Sequence, residues 1–323
     1  MRRDRSVISR GPFRVLWLAT LACLGLVPSL AASQPRAAPN AVITTPSPAL
    51  PRQQILRRAL QSDPAQEYLL YLPANLTAGA SVFVTVHGIS LNVEEHAKLF
   101  APYAEASGVV LVAPAFTGDS NDDYQRLGRA GRGTRSDRVL EAILNEVHSL
   151  TGADIHRFAL FGFSGGAQFA HRYVMAHPER VSRAAVGAAG WYMFPDPRLP
   201  YPYGLGSSDE LSDVHFDPNL FLRVPITVFV GRDDIGEKNV DMSEQVVQLQ
   251  GRTRLERAER WTAAMRRAAT ERGMTPVVQC VEVSGIHHSF SQFMLKGQLG
   301  ERVFGFLYAD AASVSAGSTR GAR

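Results

Sequence analysis

Short apolar runs alternate with amphipathic stretches along most of this chain, and this alternation constrains the fold more than any other feature. Runs rich in Val, Leu, Phe and Ala predict strands that are covered on both faces. They lie at residues 68–72, 81–86, 109–113, 158–161, 184–188, 226–230 and 277–283. Amphipathic segments at 137–150, 255–272 and 290–307 predict helices. The pattern therefore predicts an α/β protein whose mostly parallel central sheet carries helices on both faces.

The two ends of the chain differ from its middle. A basic start leads into the apolar run 15–32, and small residues follow at 31–33, as in a secretory signal peptide over residues 1–33. The alternative is a transmembrane anchor, which the shortness of the run and Pro28 disfavour. Residues 34–52 predict a flexible lead-in and residues 310–323 a disordered tail, which leaves one α/β domain over 53–309. We therefore expect a secreted or periplasmic protein without a stable membrane anchor.

The net charge says little about partners. The formal charge of +4 equals the contribution of five arginines and one aspartate in residues 1–33. Once that segment is removed the chain is near neutral, so no basic field remains that would predict nucleic-acid binding.

Two segments interrupt the alternation, and long loops of this kind are often functional. Residues 117–135 hold four spaced arginines, which predict a solvated loop or a contact to RNA, an anionic surface or a substrate carboxylate. Asp119, Asn121 and Asp123 have the spacing of a calcium loop but lack its glycine and glutamate, so we predict no metal site. Residues 191–222 form an insertion rich in aromatic residues, Pro and Gly. Its first residues, Trp191 and Tyr192, follow a predicted strand and either line a substrate pocket or pack in the core.

The segment over residues 158–170 predicts a nucleophile. An apolar strand runs into Gly162-Phe-Ser164-Gly-Gly166, and an amphipathic helix follows. A serine hydroxyl becomes a useful nucleophile only when its Oγ is exposed beside a base. A sharp strand-to-helix turn exposes it, and only small residues fit two positions before and after the serine.

A carboxylate pair and a histidine pair follow later predicted strands. Asp233 and Asp234 come after residues 226–230, and His287 and His288 come after residues 277–283. Because sites in open α/β sheets lie outside the carboxyl ends of the strands, we expect both pairs to share a crevice with Ser164. The residues alone leave open which member of each pair is used.

These segments, with His87-Gly88-Ile89 at the end of an early strand, resemble the α/β-hydrolase superfamily. Within it the chain resembles secreted esterases of the polyhydroxyalkanoate depolymerase-like group over residues 67–307. The resemblance implies the α/β-hydrolase fold with an eight-stranded sheet, a Ser–His–Asp triad, no cofactor and an acyl-enzyme intermediate. Its motif positions imply Ser164, His288 and Asp234 as the triad. They also imply the backbone N–H groups of Ile89 and Gly165 as the oxyanion hole.

The sequence thus predicts an exported serine hydrolase that cleaves a small-molecule or polymeric carboxylic ester. A triad fixes acyl transfer and not the acceptor, so a serine peptidase or an acyltransferase is the alternative. A catalytically idle binding protein on the same fold is another.

Overall fold

The computed structural model describes residues 50–117, 121, 123–128 and 133–308, and these build an eight-stranded sheet. The strand order is β1-β2-β4-β3-β5-β6-β7-β8. β2 pairs antiparallel with β1 and β4, and every other neighbouring pair is parallel. The strands are β1 (Ile55–Leu60), β2 (Asp63–Tyr71), β3 (Ser81–Val86), β4 (Val110–Ala115), β5 (Asp154–Phe163), β6 (Val181–Gly187), β7 (Ile226–Gly231) and β8 (Val278–Val283). The predicted mostly parallel sheet is confirmed.

Helices cover both faces of this sheet. They are α1 (Val93–Ser107), α2 (Ser136–Thr151), α3 (Gly165–Ala176), α4 (Pro218–Phe221), α5 (Glu244–Gln250), α6 (Arg254–Thr270), α7 (Phe290–Leu295) and α8 (Leu299–Leu307). Alternate residues of β3 point to opposite faces, so Val84 joins a core cluster with α2, α3 and α6. Phe83 joins a second cluster with α1, α7 and α8.

The seven predicted strands correspond to β2–β8, and β1 is the strand that the sequence pattern did not reveal. β1 is an edge strand with alternating half-buried and exposed positions. Its centre carries Arg57 and Arg58, and Arg57 pairs with Glu67 on β2. Charged residues suit an exposed edge but hide the strand from a search for apolar runs.

The predicted helix over 290–307 is in fact two helices, α7 and α8. Gly297 lies between them, and a Cβ there would come within 2.7 Å of the Phe293 carbonyl oxygen. Gln298 then adopts a left-handed conformation with φ of 53°. The insertion over 191–222 is largely irregular, and in its described part the longest helix is the four-residue α4.

The predictions for residues 1–33 and 310–323, and for most of the lead-in over 34–52, lie outside the described residues. The same is true of Asp119 and of Arg129 and Arg132 in the arginine-rich loop. Within the described part of the chain, no helix has both the length and the apolar character that a membrane span requires.

Candidate active site

Ser164 lies at the apex of a sharp turn between β5 and α3. Its backbone adopts φ 56° and ψ −111°, a conformation that non-glycine residues rarely take. A Cβ on Gly162 would lie 2.0 Å from the carbonyl oxygen of Gly166, so no side chain fits at residue 162. This is the strained strand–turn–helix arrangement that presents a serine hydroxyl at the top of an α/β sheet.

His288 connects Ser164 to Asp234. Its Nε2 lies 3.0 Å from Oγ of Ser164, and its Nδ1 lies 2.8 Å from Oδ2 of Asp234. The Asp234 side chain is 2% exposed, whereas that of His288 is 26% exposed. An imidazole that donates from Nδ1 to a buried carboxylate has Nε2 free to accept a proton from the serine.

The neighbouring members of the two pairs make a different contact. Nδ1 of His287 lies 2.9 Å from the main-chain carbonyl oxygen of Asp233, and the His287 side chain is exposed. Neither residue contacts Ser164 in the hydrogen bonds of the described residues. The structure therefore brings the second member of each pair to the serine, as the motif positions imply.

Two close approaches fix the loop that carries His288. A Cβ on Gly231, at the end of β7, would lie 2.0 Å from the Ile286 carbonyl oxygen, so the acid loop and the histidine loop touch through their backbones. The Phe163 ring stacks on the His288 imidazole with 5.2 Å between centroids and 22° between planes. Both contacts restrict the direction in which the imidazole points.

The backbones of Ile89 and Gly165 meet beside the serine. A Cβ placed on Gly165 would lie 3.2 Å from the amide nitrogen of Ile89. Gly165 is the first residue of α3, so its N–H has no partner within the helix. The backbone amides of Ile89 and Gly165, the predicted oxyanion-hole donors, thus lie close to each other beside Ser164.

His87 orients the peptide unit that carries the Ile89 N–H. The Phe116 N–H donates to its Nε2 over 3.0 Å, so its proton resides on Nδ1, which donates to the Gly88 carbonyl oxygen over 2.7 Å. Burial lowers the pKa of His87, which keeps the ring neutral. In a trans peptide the Gly88 C=O and the Ile89 N–H point in opposite directions, so this bond turns the N–H away from His87.

A cavity of about 420 Å³ opens beside Ser164. Ile89, Phe163 and Phe290 supply apolar surface, and serine or asparagine side chains supply neutral polar groups. Of the described residues that line the cavity, Glu95 is the one carboxylate, and no lysine or arginine is among them. The Asn92 side-chain amide donates to Glu95 over 2.7 Å. The cavity suits a ligand that is uncharged and in part polar.

Tyr192 does not line this cavity, and its burial corrects the expectation that it contacts substrate. Its side chain has no exposed surface, and its ring stacks on Trp261 at 4.9 Å. Trp191 is 6% exposed and packs on the guanidinium of Arg172, with 4.2 Å to the ring centroid. Trp191 is also not among the residues that line the cavity, so its role in substrate binding stays a prediction.

Arg254 belongs to this site, although the sequence analysis did not single it out. Its Nη1 lies 3.2 Å from Oδ1 of Asp234, the oxygen that does not face His288. It is one of 34 basic residues and stands at the start of an ordinary amphipathic helix, so no local pattern separates it from the others. Among the described residues no group of three His, Cys, Asp or Glu side chains could hold a metal ion.

The sheet order and the serine turn define the α/β-hydrolase fold. No protein-family model matches the sequence, and a search of curated proteins finds no significant match. Solved structures do match. Poly(aspartic acid) hydrolase-1 from Sphingomonas sp. KT-1 is 25% identical, with a TM-score of 0.62 over 72% of this chain and 92% of that one. The poly(3-hydroxybutyrate) depolymerase LpqC from Bordetella parapertussis is 24% identical, with a TM-score of 0.61 over 77% and 94%.

An S-formylglutathione hydrolase from Agrobacterium tumefaciens matches at 17% identity, with a TM-score of 0.51 over 77% of this chain and 94% of that one. Two of these three similar proteins are named hydrolases and the other a depolymerase. The chain therefore resembles α/β-hydrolases of the depolymerase-like group, as predicted. The two neighbours below 25% identity show the fold alone, and the 25% identical one supports a hydrolase.

Proposed function

We propose that this protein is a serine hydrolase that cleaves carboxylic esters through an acyl-enzyme intermediate. The observation that carries the proposal is the position of His288, within hydrogen-bond distance of both Ser164 Oγ and Asp234 Oδ2. A neutral imidazole between a serine and a buried carboxylate is the arrangement that activates a serine hydroxyl.

In the proposed reaction, Ser164 Oγ attacks the ester carbonyl carbon while His288 Nε2 takes the hydroxyl proton. The N–H groups of Ile89 and Gly165 bind the oxyanion of the tetrahedral intermediate. His288 then gives its proton to the departing alcohol, and the acyl group remains on Ser164. A water molecule, deprotonated by His288, attacks the acyl-enzyme, and collapse of the second intermediate returns the proton to Ser164 and releases the acid. Asp234 holds the Nδ1–H and stabilises the imidazolium in both halves.

Hydrolysis of amides in the same site is a second candidate. The 25% identical neighbour is named for hydrolysis of poly(aspartic acid), a polymer joined by amide bonds. That polymer carries a carboxylate on each residue, whereas the charged side chain on the wall of the cavity is the acidic Glu95. The cavity therefore favours an uncharged ester over this polyanion.

A matched pair of substrates tests the choice. The purified protein is given a p-nitrophenyl ester and the p-nitroanilide of the same uncharged acyl group, with Ser164→Ala as the control for background hydrolysis. We expect ester turnover well above that control and little or no anilide turnover. Faster cleavage of the anilide would favour amide hydrolysis, and no reaction of either would favour a binding protein.

Export through a signal peptide belongs to the same proposal. The basic and apolar start of the chain supports it, with cleavage next to residues 31–33. Mass spectrometry of the protein recovered from the periplasm or medium of a bacterial host tests it. A mature N-terminus near residue 34 is expected, and an intact Met1 would contradict removal of the segment.

A further inference from the structure

Arg254 and Asp234 form a buried ion pair directly behind the proposed catalytic histidine. Nη1 of Arg254 lies 3.2 Å from Oδ1 of Asp234, and both side chains are 2% exposed. The other carboxylate oxygen, Oδ2, faces Nδ1 of His288. Within the described residues, Arg254 and His288 are the hydrogen-bond partners of this carboxylate. Arg254 therefore fixes which oxygen is presented to the histidine.

The arginine is itself held by the backbone. Arg254 is the first residue of α6, and Thr253 caps that helix by accepting the Glu256 N–H over 3.2 Å. Nη2 of Arg254 donates to the carbonyl oxygens of Lys238 and Asn239 over 2.9 and 3.2 Å. Asn239 lines the cavity beside Ser164. One guanidinium thus connects the acid, the loop that follows it and a wall of the cavity.

The positive charge of Arg254 also acts on His288 through the shared carboxylate. Removal of that charge would leave a buried carboxylate without a cation beside it, and such a carboxylate favours protonation of a neighbouring imidazole. Other charged or titratable groups around this array are Glu95 on the cavity wall, Asp233 and His287 in the adjoining loops, and Lys238, whose carbonyl oxygen accepts from Arg254. All four are exposed or half-buried, so solvent screens them more than it screens the buried pair.

We propose that Arg254 is a positioning residue for His288: it holds Oδ2 of Asp234 toward Nδ1 of the imidazole, and its buried charge lies on the far side of the carboxylate that His288 faces. This inference rests on the proposed function, because it assigns the role of Arg254 within the same Ser164–His288–Asp234 array.

The test replaces the charge and then restores it. Arg254→Gln removes the guanidinium, and NMR follows the protonation of the His288 imidazole while kcat and KM are measured across pH. We expect the His288 titration midpoint and the acid limb of kcat to move up together by roughly one pH unit. We also expect kcat to fall about tenfold with KM little changed, because the acid is no longer held. Arg254→Lys keeps the positive charge but loses the planar guanidinium that bonds Asp234 and two carbonyl groups at once. It should therefore lower kcat while leaving the His288 titration midpoint in place.

Arg257 supplies a matched control on the same helix. It is also fully buried, but it donates to the carbonyl oxygens of Gly190, Asp241 and Gly251 rather than to a carboxylate. Arg257→Gln should lower the melting temperature without moving the His288 midpoint.

An equal midpoint shift in both glutamine variants, or none in Arg254→Gln, would overturn the proposal. If Arg254→Gln does not fold, wild-type kcat in Arg254→Lys overturns the positioning role. The His288 titration midpoint is measured by NMR without any turnover. A shift of that midpoint in Arg254→Gln, in a protein that shows no esterase activity, would therefore count against the proposed function alone.

Discussion

Nδ1 of His288 lies 2.8 Å from a carboxylate oxygen of Asp234, whereas Nδ1 of the adjacent His287 lies 2.9 Å from the main-chain carbonyl oxygen of Asp233. Two neighbouring loops thus make two parallel contacts, and one of them leads to Ser164. We expect His288→Ala and Asp234→Asn to lower kcat by at least about a thousandfold. His287→Ala and Asp233→Asn are the matched controls, and each should retain most of the activity. The reverse ranking within either pair would contradict the assignment of that pair.

Because Gly162 lies against Gly166, we expect a side chain at residue 162 to cause a large loss of stability. Gly162→Ala places a Cβ 2.0 Å from a carbonyl oxygen, and we expect it to lower the free energy of unfolding by about 2 kcal/mol or more. Gly305→Ala is the control, because this glycine lies within α8 and nothing lies within 4 Å of its Cβ position. It should raise stability by up to about 1 kcal/mol. Urea unfolding of both variants measures the difference, and equal effects would show that the turn tolerates a side chain.

Glu95 predicts a preference against anionic esters. Glu95→Gln should raise kcat/KM for an ester whose acyl group bears a carboxylate, relative to its neutral isostere, by roughly threefold to tenfold. The gain should shrink as salt is added. Glu94→Gln is the control, since Glu94 is its neighbour on α1 but pairs with Arg57 and does not line the cavity. An unchanged ratio in Glu95→Gln would show that substrates bind out of reach of this carboxylate.

Buried histidines predict that the fold loses stability on mild acidification. His87, His96 and His171 are 0% exposed, and burial lowers the pKa of each below its usual value. Below about pH 6.5 the unfolded chain binds protons that the native protein does not, so stability falls by up to about 1.4 kcal/mol per histidine per pH unit.

Urea unfolding at pH 7, 6 and 5 measures this slope. His171→Gln should reduce the slope by the share of one histidine, because its ring accepts the Met193 N–H and stays neutral in the native protein. A free energy of unfolding that is flat between pH 7 and 5 would contradict this reading.

The sequence predicted those parts of the molecule whose requirements are local. Continuous apolar runs located seven of the eight strands, and the glycines around Ser164 located the turn. β1 escaped because its arginines suit an exposed edge, and the break between α7 and α8 escaped because Gln298 must adopt an uncommon conformation there. A periodic pattern does not encode either feature.

The parts of the site that depend on distant segments were not predictable. Asp234 and Arg254 are 20 residues apart, and their contact depends on where α6 begins relative to the end of β7. The sequence left open whether Tyr192 lines a pocket or packs in the core, and the stacking of its ring on Trp261, far along the chain, places it in the core. Such contacts are set by packing between elements rather than by the residues next to them.

The central claim is that Ser164 is an activated nucleophile, and reaction with a fluorophosphonate tests it most directly. The purified protein and its Ser164→Ala variant are incubated with the reagent at neutral pH, and intact mass and peptide mapping locate the adduct. Ser164→Ala removes one hydroxyl and should preserve the melting temperature to within a few degrees. We predict one stoichiometric adduct on Ser164 in the parent protein, none in the variant, and loss of ester turnover in step with labelling. An unlabelled parent protein, or a variant that is labelled and hydrolyses esters at the parent rate, would contradict the claim.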